Sequence, residues 1–428
     1  MLSVREALER TMATVREPQP EDVALLDAHG RVLLEDVVAS SPLPPWDNSA
    51  MDGLAVRAVD TRTALPQGHT DPCADAATGS ATGPWLTVVG TAAAGHPCPT
   101  PVEPGQAVKI MTGAPVPDGA DAVVMVEHTH EESGMVQVQR TAAPGQHIRK
   151  RGEIAHAGDA VAFAGTILTG PRLGVCAAVG RATLRVASQP RVGLIATGDE
   201  LVAPGKPLKA GQIYASNSVA LAGWVREAGG VPVDCGHATD CVESLSAAFR
   251  RAASCDVIVS TGGVSVGEFD VVTDTMDALG VCLDFWKVAM KPGKPLALGT
   301  MGERPVFGLP GNPISAQVTF LQFVRPWIRA TLGMPNPYLP VVHARLDFGM
   351  KKKAGRVEFV RVSLQWTSEG WTAHSVGDQG SGNPLSLARS NGLMLLDSAE
   401  HRLHAGDRVS VQLLHAAGHG AATPGYPW

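Results

Sequence analysis

The chain has 428 residues, 44% of them hydrophobic and 18% charged, the balance of an ordinary soluble protein with room for two to four domains and a large core. Lys plus Arg total 35 against 41 Asp plus Glu, a net charge of −6 without a prominent basic tract, which argues against non-specific nucleic-acid binding but allows a local positive pocket for a small anion. The seven cysteines (Cys73, Cys98, Cys176, Cys235, Cys241, Cys255 and Cys282) form no C-x-x-C pair, so zinc and iron–sulfur sites lack their usual spacing. Such a scattered, odd set suits reduced cytosolic thiols, with Cys235, Cys255 and Cys282 expected in the core because they lie in or beside apolar runs. No signal-peptide pattern and no apolar stretch of membrane-spanning length is visible, so a cytoplasmic location is expected.

Ser3-Val4-Arg5-Glu6 has the form of a helix capping box, and Val4, Leu8, Met12 and Val15 follow at helical spacing, predicting a first helix that ends near Pro18. Residues 50–147 change character. Strand-like runs at 107–111, 122–126 and 135–138 are punctuated by Gly and Pro and predict a small β-rich domain. Within it, 61–84 is poor in large apolar residues and reads as a mobile surface insertion. From 188 to 335 strands at 191–196, 231–235, 256–260, 281–288, 296–300 and 305–309 alternate with helices at 217–228, 241–253, 270–279 and 313–332. Gly229-Gly230 supplies a C-cap, Asn312 an N-cap, Pro313 a first helical residue and Pro326 a bend. That alternation predicts a doubly wound, mainly parallel α/β domain. Residues 336–415 return to short strands that fit a compact β-barrel or sandwich, and 416–428 reads as a disordered tail.

The segment Thr261-Gly262-Gly263-Val264-Ser265-Val266-Gly267-Glu268-Phe269-Asp270 follows a buried-strand pattern at 256–260. Glycine lets backbone N–H groups approach a phosphate, and a carboxylate beside such a cradle points to a bridging divalent cation, commonly magnesium. In open α/β sheets ligands bind beyond the C-terminal ends of the strands. The other strands end in Thr197-Gly198-Asp199-Glu200, in Lys291-Pro292-Gly293-Lys294-Pro295 and in Pro310-Gly311-Asn312-Pro313. One rim would thus hold the carboxylates of Glu200 and Asp270, the cations of Lys287, Lys291 and Lys294, and the free N–H groups of a helix start. Each motif alone is an ordinary turn or cap; four on one rim predict a site for a phosphorylated ligand.

These residues, with 47–53 (Asp-Asn-Ser-Ala-Met-Asp-Gly), 111–115 (Met-Thr-Gly-Ala-Pro) and 148–153 (Ile-Arg-Lys-Arg-Gly-Glu), resemble the molybdopterin molybdenumtransferases of molybdenum-cofactor synthesis, in order from residue 1 to about 415. The resemblance implies a linker domain (1–49 and 148–187), a small β-rich domain (50–147), a molybdopterin-binding α/β domain (188–335) and a C-terminal β-barrel (336–415). It implies a homodimer whose cleft is shared between subunits, adenylylated molybdopterin and molybdate as substrates, AMP as product and magnesium as cofactor. It also implies Asp52, Thr112, Glu200, Asp240 and Asp270 as catalytic residues, with Glu200, Asp240 and Asp270 at the metal. Substrate would be held by Gly262, Gly263, Ser265, Lys287, Lys291, Lys294, Pro310, Asn312 and Pro313, and molybdate by Arg361 and Ser381. The segments 351–361 and 377–382 resemble those next to molybdate in the family.

Each carried-over residue has a plainer reading: Asp52 and Thr112 as turn caps, Asp240 as a helix cap before Glu243, Arg361 as a solvated strand residue. The chain departs from the family pattern at Leu54, where an aromatic is usual, and at Ile154 and Ala215, which stand where acidic residues are typical. Two rival functions follow: a pterin-binding carrier that hands cofactor to molybdoenzymes without chemistry, and the preceding adenylyltransferase.

Overall fold

The computed structural model of the chain describes residues 1–62, 83–239, 241–262 and 276–414. The central part of the expected insertion, most of the expected helix 270–279, the tail and Cys73 lie outside the described residues. Ser3 caps the first helix, Val4–Met12: its Oγ accepts the Glu6 N–H (3.2 Å) while its own N–H donates to the Glu6 carboxylate (2.8 Å). The helix stops at Met12, earlier than Pro18. Past that point the chain tightens into three-residue turns: the N–H groups of Thr14 and Val15 donate to the carbonyls of Thr11 (3.1 Å) and Met12 (3.2 Å), and the Thr14 hydroxyl turns back onto the Thr11 carbonyl (2.8 Å).

Strand Pro20–Ala24 pairs antiparallel with Thr183–Ala187, and Val37–Val38 with Ala160–Ala162. Segments on both sides of the β-rich region therefore share one core, which includes Leu33, Leu168 and Val186. Between them a six-stranded sheet runs in the order 122–125, 53–56, 106–110, 85–92, 135–138, 129–132. Alternate residues of strand 53–56 enter two separate cores, Leu54 and Val56 one, Ala55 the other, as the two-residue period of a strand requires.

The central domain contains β1 (Arg191–Thr197), α1 (Ser216–Ala228), β2 (Val231–Ala238), α2 (Val242–Arg251), β3 (Val257–Thr261), β4 (Cys282–Trp286), β5 (Ala297–Met301), β6 (Arg304–Leu309), α3 (Pro313–Thr319) and α4 (Arg325–Thr331). The sheet order is β2-β1-β3-β6-β5-β4. Strands β2, β1, β3 and β6 are parallel; β5 is antiparallel to both its neighbours, so β4 again runs with the main set. The chain leaves β1 for β2 on one side and returns to β3 on the other, which makes the end of β1 a topological switch point.

Gly193 in β1 leaves room for the buried thiols of Cys255 and Cys235: a Cβ there would lie 3.1 and 3.3 Å from their sulfurs. Burial pushes the Cys235 thiol up to about 11, so both cysteines act as small core residues. Cys282 is exposed, contrary to expectation, because it opens the edge strand β4 on its outward face. Helix α1 ends at Gly229 in the left-handed region (φ +99°), as its sequence predicts. Asn312 holds the N-cap position of α3, but its side chain makes no capping hydrogen bond. The expected single helix 313–332 is broken by a π-helical turn at Phe320–Val324, just before Pro326 removes a backbone donor.

The terminal domain contains β7 (Val341–Leu346), β8 (Val357–Thr367), β9 (Gly370–Ser375), β10 (Gly392–Leu396) and β11 (Arg408–Leu413). Pairing runs β8-β9-β7-β11-β10 and back to β8, so the sheet closes into a five-stranded barrel without free edges. Val360, Val362 and Leu364 of β8 fill the barrel, while Phe359 faces out into the central core. That central core joins Phe307, Phe320, Phe323 and Trp327 to Val225 of α1 and Ala7 of the first helix. Trp327 is 1% exposed, and its indole N–H reaches the Thr14 carbonyl (3.4 Å). Trp327→Ala is expected to destabilise the central domain by about 3–5 kcal/mol, read from its urea unfolding midpoint.

Candidate functional site

Strand direction places the loops that follow β1, β3, β4 and β6 on one edge of the central sheet. A cavity of about 210 Å³ lies at the switch point, lined by Thr197, Gly198 and Glu200 after β1, Gly262 after β3, Gly311 and Pro313 after β6, and the first turn of α1. It shares walls at Leu201, Ala215 and Ser218 with a second cavity of about 420 Å³ that also reaches Lys206, Asp234 and His237.

The loops are pinned by backbone contacts. Thr197 Oγ1 donates to the Thr261 carbonyl (2.9 Å) and the Gly262 N–H to the Leu309 carbonyl (3.1 Å). Gly262 has φ +90°, and a Cβ on it would lie 2.6 Å from the Thr197 carbonyl oxygen, so both conformation and space require glycine. A Cβ on Gly311 would stand 3.7 Å from the Gly262 Cα, so these two loops meet. Asn217 joins the third element: its Nδ2 donates to the Gly311 carbonyl (2.8 Å). Its Oδ1 is buried and has no hydrogen-bond partner among the described residues, which leaves a fixed acceptor on a residue of the cavity wall. Sequence reasoning misses Asn217; its place at a helix start directly after a rim loop is the available signal. The Glu200 carboxylate lies back over Gly198, where a Cβ would sit 2.4 Å from its oxygen.

Of the predicted substrate residues, Gly262 and Pro313 line this cavity; Pro310 is buried behind it, and Asn312 is exposed beside it without lining it. Gly263, Ser265, Asp240 and Asp270 lie outside the described residues. The three lysines do not line it either, because β5 separates β4 from β6 and two strand spacings amount to roughly 10 Å. Lys287 (φ +72°) lays its ammonium 3.4 Å from the ring centre of Trp286. Lys291 turns toward the terminal barrel and pairs with Glu358 (2.8 Å). Lys294 is exposed.

Arg361 of β8 is 2% exposed, so it is no solvated strand residue. Its Nε donates to Ser386 Oγ (3.2 Å) and its Nη2 to the Gly380 carbonyl (3.2 Å), while the Gln379 amide bonds both its backbone groups. Burial lowers the guanidinium pKa; the charges of Asp378 and Glu358 oppose that shift. The next residue of the same loop, Ser381, accepts the Ile314 N–H of α3 on its carbonyl (3.1 Å). The Arg361–Ser381 segment therefore abuts the same helix start whose Pro313 lines the 210 Å³ cavity.

Asp52 and Thr112 form a second unit, in the small β sheet. The Asp52 carboxylate accepts the Thr112 N–H (2.6 Å) and hydroxyl (2.8 Å), and these bonds lower its pKa. Both residues are exposed and neither lines the cavity around Glu200. No group of three His, Cys, Asp or Glu side chains suited to a metal is present among the described residues.

Comparison with known proteins gives three matches that follow one another along the chain. The MoeA N-terminal region (domain I and II) matches residues 2–180, a probable molybdopterin binding domain matches 193–330, and the MoeA C-terminal region (domain IV) matches 343–414. Molybdopterin molybdenumtransferase 2 of Mycobacterium tuberculosis is 40% identical over 96% of this chain and 99% of its own. The molybdopterin molybdenumtransferase of Haemophilus influenzae is 35% identical over 96% and 98%. The crystal structure of a molybdopterin biosynthesis moea protein from Pyrococcus horikosii superposes with a TM-score of 0.79 at 31% identity, covering 97% of this chain and 99% of that one. Fold, order of domains and full-length similarity agree: the chain belongs to the molybdopterin molybdenumtransferase family.

Proposed function

We propose that this protein inserts molybdate into adenylylated molybdopterin and releases AMP. The observation that carries this reading is the shared helix start. Pro313 faces the cavity of the α/β domain, and the neighbouring Ile314 is bonded to Ser381 beside the buried Arg361. A nucleotide-linked pterin at the switch point would then lie next to a guanidinium suited to a tetrahedral dianion.

In this reading Gly262, Gly263, Ser265 and the loop at 310–313 hold the phosphate and pterin end. Lys294, exposed and without an ion pair among the described residues, is the rim cation left for phosphate. Arg361 and Ser381 hold molybdate. The donors around the cavity fit magnesium, which takes hard oxygen ligands: the Glu200 carboxylate and the unpartnered Asn217 Oδ1, with Asp240 and Asp270 as the further carboxylates. Magnesium would supply charge neutralisation at the phosphoanhydride. No protein nucleophile is needed, since the sulfurs that take the metal belong to the pterin. The attacking oxygen that frees AMP comes from water or molybdate, so the protein acts by positioning and electrostatics. Asp52 and Thr112 stand apart from this cavity, and we assign them to the rim of a partner chain in a homodimer. The reaction takes place in the cytoplasm, and its product passes to molybdoenzymes.

One observation favours the carrier reading: Ala215 brings no carboxylate to the cavity wall. Purified protein incubated with adenylylated molybdopterin, molybdate and magnesium separates the alternatives. AMP and a metallated pterin mark the transferase, binding alone marks a carrier, and consumption of added ATP marks an adenylyltransferase. In that assay Glu200→Gln and Asp270→Ala should each slow AMP release at least tenfold, about 1.4 kcal/mol of barrier, with the circular dichroism of the parent retained. Arg361→Lys should raise the KM for molybdate roughly tenfold while leaving affinity for the pterin substrate in place. For Asp52, whose folded pKa is depressed, the Thr112 contact is complete above the ordinary aspartate range near pH 4 and is lost as the pH falls through the lower folded value. An NMR titration of the Asp52 carboxyl should show that lowered midpoint, and Thr112→Val, which removes the hydroxyl but keeps the backbone N–H, should move it part of the way back up.

A further inference from the structure

Strand β2 carries one residue more than its pairing with β1 requires. Leu194 of β1 pairs with Asp234 and Ala196 with His237, so Cys235 and Gly236 stand opposite the single residue Ile195 and form a β-bulge. The bulge is braced on both sides. Gly236 takes φ +84° and its N–H donates to the Asp234 carboxylate (2.8 Å), while the Cys235 carbonyl accepts from Arg251 Nε (2.7 Å). A bulge re-aims the side chains beside it, and bulges gather next to active sites. Here the side chain that follows is His237, whose Nε2 meets the Gly198 carbonyl at 2.6 Å. A carbonyl only accepts, so Nε2 carries the hydrogen and donates it.

We propose that His237 is a positioning residue for the reaction, acting through the Gly198 carbonyl to hold the turn that carries Glu200. The proposal rests on the function proposed above.

The contacts of the turn meet at Gly198. Its N–H donates to the carbonyl of Ala238 (3.2 Å), and its carbonyl accepts the Leu201 N–H (3.1 Å), which closes a four-residue turn over 198–201. His237 fills the second lone pair of the same carbonyl, and its bond is the shorter of the two that tie this turn to β2. Glu200 occupies the third position of the turn, with its carboxylate folded over Gly198. Gly198 has φ +139°, and a Cβ there would fall inside that carboxylate, so the turn admits no other residue. The Glu200 carbonyl in turn accepts the Ile213 N–H (2.9 Å), which joins the turn to a further wall of the 210 Å³ cavity. The place of the Glu200 carboxylate thus follows from the place of the turn. The His237 ring also walls the 420 Å³ cavity with Lys206 and Asp234, so it stands between the two cavities. A residue that acts through Glu200 changes kcat, whereas one that only touches substrate changes KM.

The test uses the full chain with His237→Leu, which keeps apolar bulk and removes the donor, and His237→Gln, which returns an N–H close to the position of Nε2. In the AMP-release assay His237→Leu should lower kcat roughly tenfold and leave the KM for adenylylated molybdopterin within about twofold, and His237→Gln should recover most of the rate. Added to Glu200→Gln, His237→Leu should cost nothing further, because the two residues act as one unit. Amide hydrogen exchange supplies a readout apart from activity: the Leu201 N–H should exchange roughly tenfold faster in His237→Leu and regain protection in His237→Gln. His237→Ala repeats both measurements should the leucine variant lose the circular dichroism of the parent. Losses that multiply in the double variant would overturn the proposal. So would a raised KM with kcat unchanged, which marks His237 as a substrate contact, or exchange at Leu201 equal to that of the parent. A parent that releases no AMP would sink the proposed function instead; faster exchange in His237→Leu would then still support the hold on the turn, and unchanged exchange would end both.

Discussion

The site depends on the close approach of three backbone segments beyond the ends of β1, β3 and β6. Gly262 lies close to both Thr197 and Gly311, and a Cβ at Gly262 would collide with the Thr197 carbonyl at 2.6 Å. That contact holds Glu200 and the start of α1 around one cavity. It also accounts for Asn217, whose amide ties α1 to Gly311 and so turns its oxygen into a fixed, unused acceptor. The ligand groups of such a site are positioned before anything binds, which is the condition under which electrostatic stabilisation is most effective.

The terminal barrel extends the same logic. Closure of β8 against both β9 and β10 removes every free edge and gives β8 two faces of different character. One fills the barrel with Val360, Val362 and Leu364; the other carries Phe359 into the central core and buries Arg361 against the Gly380–Ser381 loop. A buried guanidinium needs its donors satisfied, and here Ser386 and Gly380 provide that while Asp378 and Glu358 keep the charge favourable. The bond from Ile314 to Ser381 then joins the barrel to the helix start at the cavity.

Much of this arrangement was legible in the residues. The capping box at Ser3, the alternation of strands and helices from 188 onward and the left-handed Gly229 are all local chemistry, and each appears where its residues predict it. The misses are equally physical. The first helix gives way after Met12 to tight turns that the Thr14 hydroxyl closes onto the Thr11 carbonyl. An edge strand exposed Cys282, and a π-helical turn ahead of Pro326 divided a helix that periodicity showed as continuous. The three lysines of the rim read as equivalent in sequence, yet Lys287 stacks on Trp286 and Lys291 pairs with Glu358.

By itself, the sequence determined the class of each segment, the order of the domains and the family, because apolar period, glycine placement and long motifs are properties of contiguous residues. Tertiary structure alone decided which rim loops share a cavity, that Arg361 is buried, that Asp52 and Thr112 stand apart from Glu200, and that lysines 60 positions apart along the chain gather with Arg356 around one pocket. Those outcomes depend on strand order and barrel closure. They arise from contacts between residues far apart in the chain, which no local pattern encodes.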